Sequence, residues 1–232
     1  MKMKNTFTYF FLLLILLLSG NPGQSQAQQK RITGPRLGID VSGLVWQYVQ
    51  PGRLSVAASV DYEIMPAIYA AGEMGRLQIN RDQDIFHYQS TGYFGKIGAD
   101  YNFLQHQFSE TTRYDMIYGG LRFGAARYSH RADDITIQDD YWGSSPGSNI
   151  PEHTMWAYWS ELVAGLRVEA LKNLFLGWSI RAQLMISRDR DPRMSTWMIP
   201  GYGEAQQSTS LSFTYSISYR IPLVRVSAGQ AQ

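Results

Sequence analysis

The chain contains no cysteine among its 232 residues, so disulfides contribute nothing to its stability. An excess of one charge is also missing: 21 Lys and Arg stand against 19 Asp and Glu, a formal net charge of +2, and no basic tract recurs. That balance excludes nucleic acid as a partner. Long hydrophobic runs are absent too. The longest apolar stretch, Tyr9 to Leu18, is half of the roughly 20 residues a membrane-spanning helix needs. It follows Lys2 and Lys4 and leads into a polar stretch ending Ser25-Gln26-Ala27, the layout of a secretory signal peptide with a small-x-small cleavage site. The sequence therefore predicts a signal peptide over residues 1–27 and a mature chain starting near Gln28, sized for one domain.

Aromatics make up 13% of the chain, led by 15 Tyr, and Gly occurs 21 times. This mixture suits β-strands with aromatic ends better than helices, and no helical periodicity of comparable quality follows the leader. The stretch "SLSFTYSISYRI" shows the pattern: Leu211, Phe213, Tyr215, Ile217, Tyr219 and Ile221 alternate with Ser210, Ser212, Thr214, Ser216, Ser218 and Arg220. A period of two means a strand with one oily and one polar face.

Eight such strands are predicted, Arg36–Val45, Arg53–Ile64, Ala67–Arg76, Gly92–Phe103, Met116–Tyr128, Trp156–Ala170, Leu174–Ile186 and Thr209–Leu223. Connections after the even strands are short to moderate; most of those after the odd strands are longer and rich in charge, Pro, Gly and Trp. An even count with tight turns at one end and long loops at the other predicts an all-β, eight-stranded antiparallel up-and-down transmembrane β-barrel. Residues 28–35 form an N-terminal segment, 36–223 the barrel and 224–232 a periplasmic tail, both termini lying on the periplasmic side of a bacterial outer membrane.

The two faces decide what is inside. One set of alternate positions is apolar; the other carries Asp61 and Glu63 and the ten residues read as a lumen charge network, Asp40, Glu73, Lys96, Asp100, Arg122, Glu161, Arg167, Glu169, Arg181 and Arg220, interleaved with glycine. Arg with Asp and Glu in near-equal number, spaced by Gly, suits a narrow tube in which confined charges pair. The polar set is read as the lumen, and eight strands leave it filled by side chains. Strand order predicts a cluster of Arg122, Glu161 and Arg181 and a pair of Glu73 with Lys96.

The segments "GKIGADYNF", "IYGGLRFG", "YWG", "ELVAGLRVEALKNLFLGWSIR", "IPGYG" and "YSISYRIPL" resemble a family of uncharacterised Bacteroidota outer-membrane β-barrel proteins, a domain of unknown function. The likeness runs from "RLGIDVSG" onward. It implies a compact outer-membrane barrel and no particular reaction. The tail "VRVSAGQAQ" departs from the usual ending of such barrels on an aromatic of the last strand.

The histidines, His87, His106, His130 and His153, are assigned to connections and share no strand with a well-placed acid, so no catalytic system is expected. Asp133, Asp134, Asp139 and Asp140 in "RADDITIQDDYWGSSPG" lack any spacing typical of a calcium loop and read as a solvated acidic loop facing lipopolysaccharide, with no metal or cofactor expected. Trp46, Trp142, Trp156, Trp159 and Trp197 are placed at loop bases or in loops; Trp142, Trp197 and Tyr202 are the candidates for a loop docking surface. The leading expectation is a non-enzymatic outer-membrane barrel with a charge-plugged lumen, a structural or accessory subunit whose partners are outer-membrane lipid and lipopolysaccharide and a protein of the same membrane. The alternatives are a small-solute channel, a lipid-modifying enzyme and a soluble lipocalin-like binder.

Overall fold

A computed structural model describes residues 32–49, 51–83, 86–106, 114–133, 136–139 and 143–224; the expected signal peptide and most of the tail lie outside them. Eight strands close into an antiparallel barrel: β1 (Arg36–Asp40), β2 (Arg53–Met65), β3 (Ile68–Gln83), β4 (Phe86–Asn102), β5 (Met116–Asp133), β6 (Ile150–Leu171), β7 (Leu174–Arg188) and β8 (Thr209–Arg220). Each pairs with the next in sequence, and β8 closes onto β1. This is the up-and-down topology that period two, even strand number and loop parity indicate. Among the described residues no helix is long and apolar enough to cross a membrane.

Both tight turns at the terminus-bearing end place their last residue in the left-handed region: Ala67 has φ 69° between β2 and β3, and Asn173 has φ 65° between β6 and β7. Asn tolerates that conformation well because its short amide bonds locally. At the same end Ile32–Thr33 pairs with Leu223–Val224, tying the segment before the barrel to the start of the tail.

Several boundaries differ from the sequence expectation: β5 runs on to Asp133 and β6 starts at Ile150, β8 ends at Arg220, and two further differences reshape the barrel. β1 stops at Asp40 instead of Val45, and residues Ser42–Val49 form a helix, α1. The Asp40 carboxylate accepts hydrogen bonds from the Ser42 amide at 2.8 Å and its hydroxyl at 2.6 Å, turning the chain out of the sheet. Gly43 lets α1 lie on β2, since a Cβ there would collide with the Ser55 carbonyl oxygen. The second difference is that β3 and β4 run on to Gln83 and from Phe86, so the long loop expected after Arg76 is a tall hairpin.

That hairpin is hidden in the sequence because the alternation changes phase within the strands. Near the turn end the outward positions are apolar, as at Met74, Ile97, Leu121 and Leu162, while Glu73, Lys96, Arg122 and Glu161 point in. Nearer the loop end, β3 turns Leu77 and Ile79 inward and Arg76, Gln78 and Asn80 outward; β4, β5 and β6 bury Tyr88, Tyr128, Met155 and Trp159. The lower section is oily outside and charged within; the upper section is built like a water-soluble barrel. Tyr93 pairs across the ladders with Arg76 and Arg127, and Arg127 with Trp156, marking the seam. Both arginines lie over aromatic rings, at 5.5 Å from Tyr93 and 5.9 Å from Trp156. Trp159, expected at a loop base, points inward and is fully buried, with Gly124 leaving room for its indole.

Candidate functional site

The inward side chains of the lower section form two ionic layers. Toward the turn end, Asp61 of β2 accepts from Arg36 Nε at 2.5 Å and from Arg167 Nη1 at 2.9 Å, the latter contributed by β6. The Arg36 guanidinium also stacks 4.6 Å from the Tyr69 ring. Below them Arg220 lies 3.6 Å from Glu169, donates to Asn173 Oδ1 at 3.2 Å, and covers the Tyr114 ring.

The second layer crosses the barrel. Glu73 on β3 meets Arg181 of β7 at 2.7 Å, Lys96 of β4 at 3.4 Å and Arg122 of β5 at 3.5 Å. Glu161 on β6 meets Lys96 at 3.1 Å and Arg181 at 3.4 Å, and accepts from Gln183 at 3.1 Å. Arg122 stands level with Glu161 across the ladder, but its ion partners are Asp100, at 2.8 Å, and Glu73. Gly98, opposite Arg122 on β4, explains the choice: with no side chain there, the arginine stem lies over it toward Asp100. Asp40 ends this layer, half-buried and bonded to Ser42.

Asp61 and the ten positions of the expected lumen network lie on the inner wall, and Arg36 joins them. The parity that puts Gly38 and Asp40 inside also puts Arg36 there, which is the signal that could have found it. Six cations then face six carboxylates, and charges held this far from water persist only with such partners. The cavity among them has a volume of about 30 Å³, room for an isolated water.

Above this floor lies a larger cavity of about 910 Å³, roofed by residues 197–204 of the connection between β7 and β8. That connection folds inward. Ile199 and Tyr202 are buried with Phe94, Tyr128 and Trp159, the Tyr202 and Trp159 rings meeting edge-on at 5.8 Å. Gln183 donates to the Gly201 carbonyl at 2.9 Å, joining roof to lumen wall. Farther along, Asp191 accepts from Arg193 Nε and Nη2, both at 3.0 Å, and lies 3.3 Å from His130, whose Nδ1 is 3.1 Å from the Thr196 hydroxyl. The Arg193 bonds, aided by His130, hold the Asp191 carboxyl well below the usual carboxylate range.

These placements correct two expectations, on Tyr202 and on the histidines. Tyr202 is 2% exposed and is no docking residue. Trp197 is half-buried against Tyr88 with Arg81 over its ring at 4.4 Å, and Trp142 lies outside the described residues. His87, His130 and His153 sit on strands, and His130 does meet an acid. No local pattern marks that contact, because Asp191 arrives from a loop 61 positions away. Among the described residues no three His, Asp or Glu side chains converge to hold a metal ion.

Residues 3–226 match a family described as "Domain of unknown function (DUF6048)". No curated protein matches the chain. Solved structures similar to it include a major outer membrane protein from Thermus thermophilus, at 13% identity and TM-score 0.46 over 82% of this chain and 98% of that one. The attachment invasion locus protein Ail of Yersinia pestis matches at 9% identity and TM-score 0.41 over 83% and 99%. CarO2 of Acinetobacter baumannii matches at 10% identity and TM-score 0.41 over 84% and 100%.

Proposed function

We propose that this chain, which belongs to the DUF6048 family, is a bacterial outer-membrane barrel with a closed lumen that works without catalysis, as a structural or accessory subunit of a membrane assembly. The observation that carries the reading is the pairing of two opposite walls: an outer band of apolar side chains around the lower section, and six cations against six carboxylates within it. An apolar outer band is stable only in contact with hydrocarbon or a partner, and a closed barrel is the one sheet form that satisfies its backbone there. The hydroxyl, imidazole and carboxylate of Thr196, His130 and Asp191 are all buried, and Arg193 occupies the carboxylate; in this reading they fasten a loop. The termini lie on the periplasmic side, and the long connections face lipopolysaccharide and a protein partner.

Carbonate extraction and planar-bilayer recording test it together. The protein is expected to stay in the membrane fraction and to give no stable conductance steps. Release by carbonate would refute the membrane assignment. Steady channel openings from pure protein would instead favour a solute pore.

A further inference from the structure

β1 is five residues long, and its neighbours outrun it. It pairs with Ser216–Arg220 of β8 and with Ala57–Asp61 of β2, and one further bond joins the Val41 amide to the Tyr215 carbonyl. Among the described residues, Thr209–Phe213 of β8 and Arg53–Val56 of β2 therefore have no strand between them. The break lies inside the apolar band: Leu54 and Val56 form one lip, Leu211 and Phe213 the other, all exposed. Helix α1 lies alongside it and presents Val45.

The upper cavity borders this break. Its lining runs along the edge of β8 from Ser210 to Tyr215, takes in Arg53 and Ser55 of β2 across from it, and reaches Val45 of α1. An unpaired edge bordered by hydrocarbon is tolerated where it lines a polar, water-filled space. The slot is thus polar at its rim, oily on its outer approach, and floored by ions. Above the charge-balanced floor, Arg53 and Arg81 line the cavity against Glu204, an excess of positive charge. Its volume of about 910 Å³ is at the upper end of small-molecule sites, roughly 300–1,000 Å³.

From this geometry we infer that the slot between β2 and β8 is a lateral binding site for an amphiphile with an anionic head and one acyl chain, the head in the cavity and the chain passing out into the bilayer. The inference rests on the membrane reading given above and adds to it a ligand class and a route of entry.

The full mature chain, placed in phosphatidylcholine vesicles with palmitic acid carrying a diazirine either beside its carboxylate or at mid-chain, tests the site by photolabelling and peptide mapping. Label is expected at Ile199 and Ser212 from the first probe, and at Ile97, which faces outward on the opposite wall, from the second. Ser212→Trp, or Ser210→Trp should the first fail to fold, fills the slot and is expected to cut labelling at Ile199 at least tenfold while leaving Ile97 unchanged. The same chain with a trimethylammonium head is expected to label Ile199 at least tenfold less. Label at Ile97 with none at Ile199 overturns the lateral site and leaves the membrane reading standing. No label at Ile97 overturns the membrane reading itself. Labelling of Ile199 that persists in both tryptophan variants places entry at the loop end and overturns the slot, and equal labelling by the two heads overturns the anionic assignment.

Discussion

Glu73 and Arg181 are 108 positions apart, on strands at opposite sides of the barrel, and their side chains meet at 2.7 Å on its axis. The contact links β3 to β7, which share no ladder. Each of these two residues also touches a charge on the strand beside its own, Lys96 on β4 and Glu161 on β6, so the pair is the cross-brace of the lower section. Glu73→Gln leaves Arg181, Lys96 and Arg122 short of one negative charge in a buried space, a loss of about 3–5 kcal/mol. Denaturant unfolding of the refolded barrel measures it. The double variant Glu73→Gln with Arg181→Gln is expected to recover part of that loss, and additive losses would contradict the coupling.

The seam between oily and polar outer walls makes a second prediction. Ile97→Arg places a charge in the middle of the apolar band and is expected to cost about 2–4 kcal/mol, measured by folding into lipid vesicles. Asn80→Arg, on the outward face above the seam, is expected to change stability by less than about 0.5 kcal/mol. Equal effects at the two positions would rule out a bilayer boundary between them.

Acid should release the inward-folded connection between β7 and β8. Asp191 titrates lower when held by Arg193 and His130 than when free, where an aspartate lies near ~3.9. A carboxylate with a depressed folded value stabilises fully above its unfolded value and loses that contribution as pH falls toward the folded one. The roof should therefore stay fastened from neutral pH down to about 4 and loosen below it. Because the chain has no cysteine, a dye on Ser195→Cys reports the loop alone. Asp191→Asn is expected to loosen the roof at neutral pH.

Gly124 faces Trp159 across the ladder between β5 and β6, and a Cβ there would run into the indole ring. Gly124→Ala is expected to destabilise by about 1–3 kcal/mol through overpacking and to shift the tryptophan emission. Gly95→Ala, where the nearest atom to the new Cβ is a carbonyl oxygen at 4.0 Å, serves as the comparison and should be nearly neutral.

What is legible in the sequence follows from which signals are periodic. Alternation over the lower section marks the eight strands, the inward charges and the level pairing of Glu73 with Lys96. It fails where the phase flips: above Arg76 the outward Gln78 and Asn80 look like loop residues, and the buried Leu77 and Ile79 look out of step. Helix α1 is hidden because its Leu44, Val45 and Tyr48 are exposed, so no one-sided helical pattern forms. Register predicts Arg122 beside Glu161 correctly but does not say where a long side chain leans, which Gly98 decides. The meeting of Asp191 with His130 is tertiary and leaves no local trace.

On β4 the outward apolar run extends from Tyr93 to Tyr101. Eight steps of ~3.3 Å, tilted by ~40°, give roughly 20 Å of vertical height. Raising the barrel would drag that stripe into water; lowering it would sink Arg76 and Arg127 into oil. In the outer-membrane reading proposed above, the molecule is a depth gauge, seated at one elevation and matched to a thin host leaflet pair, so that thickening the surrounding lipid would tilt it or squeeze its neighbours before it changed its own length.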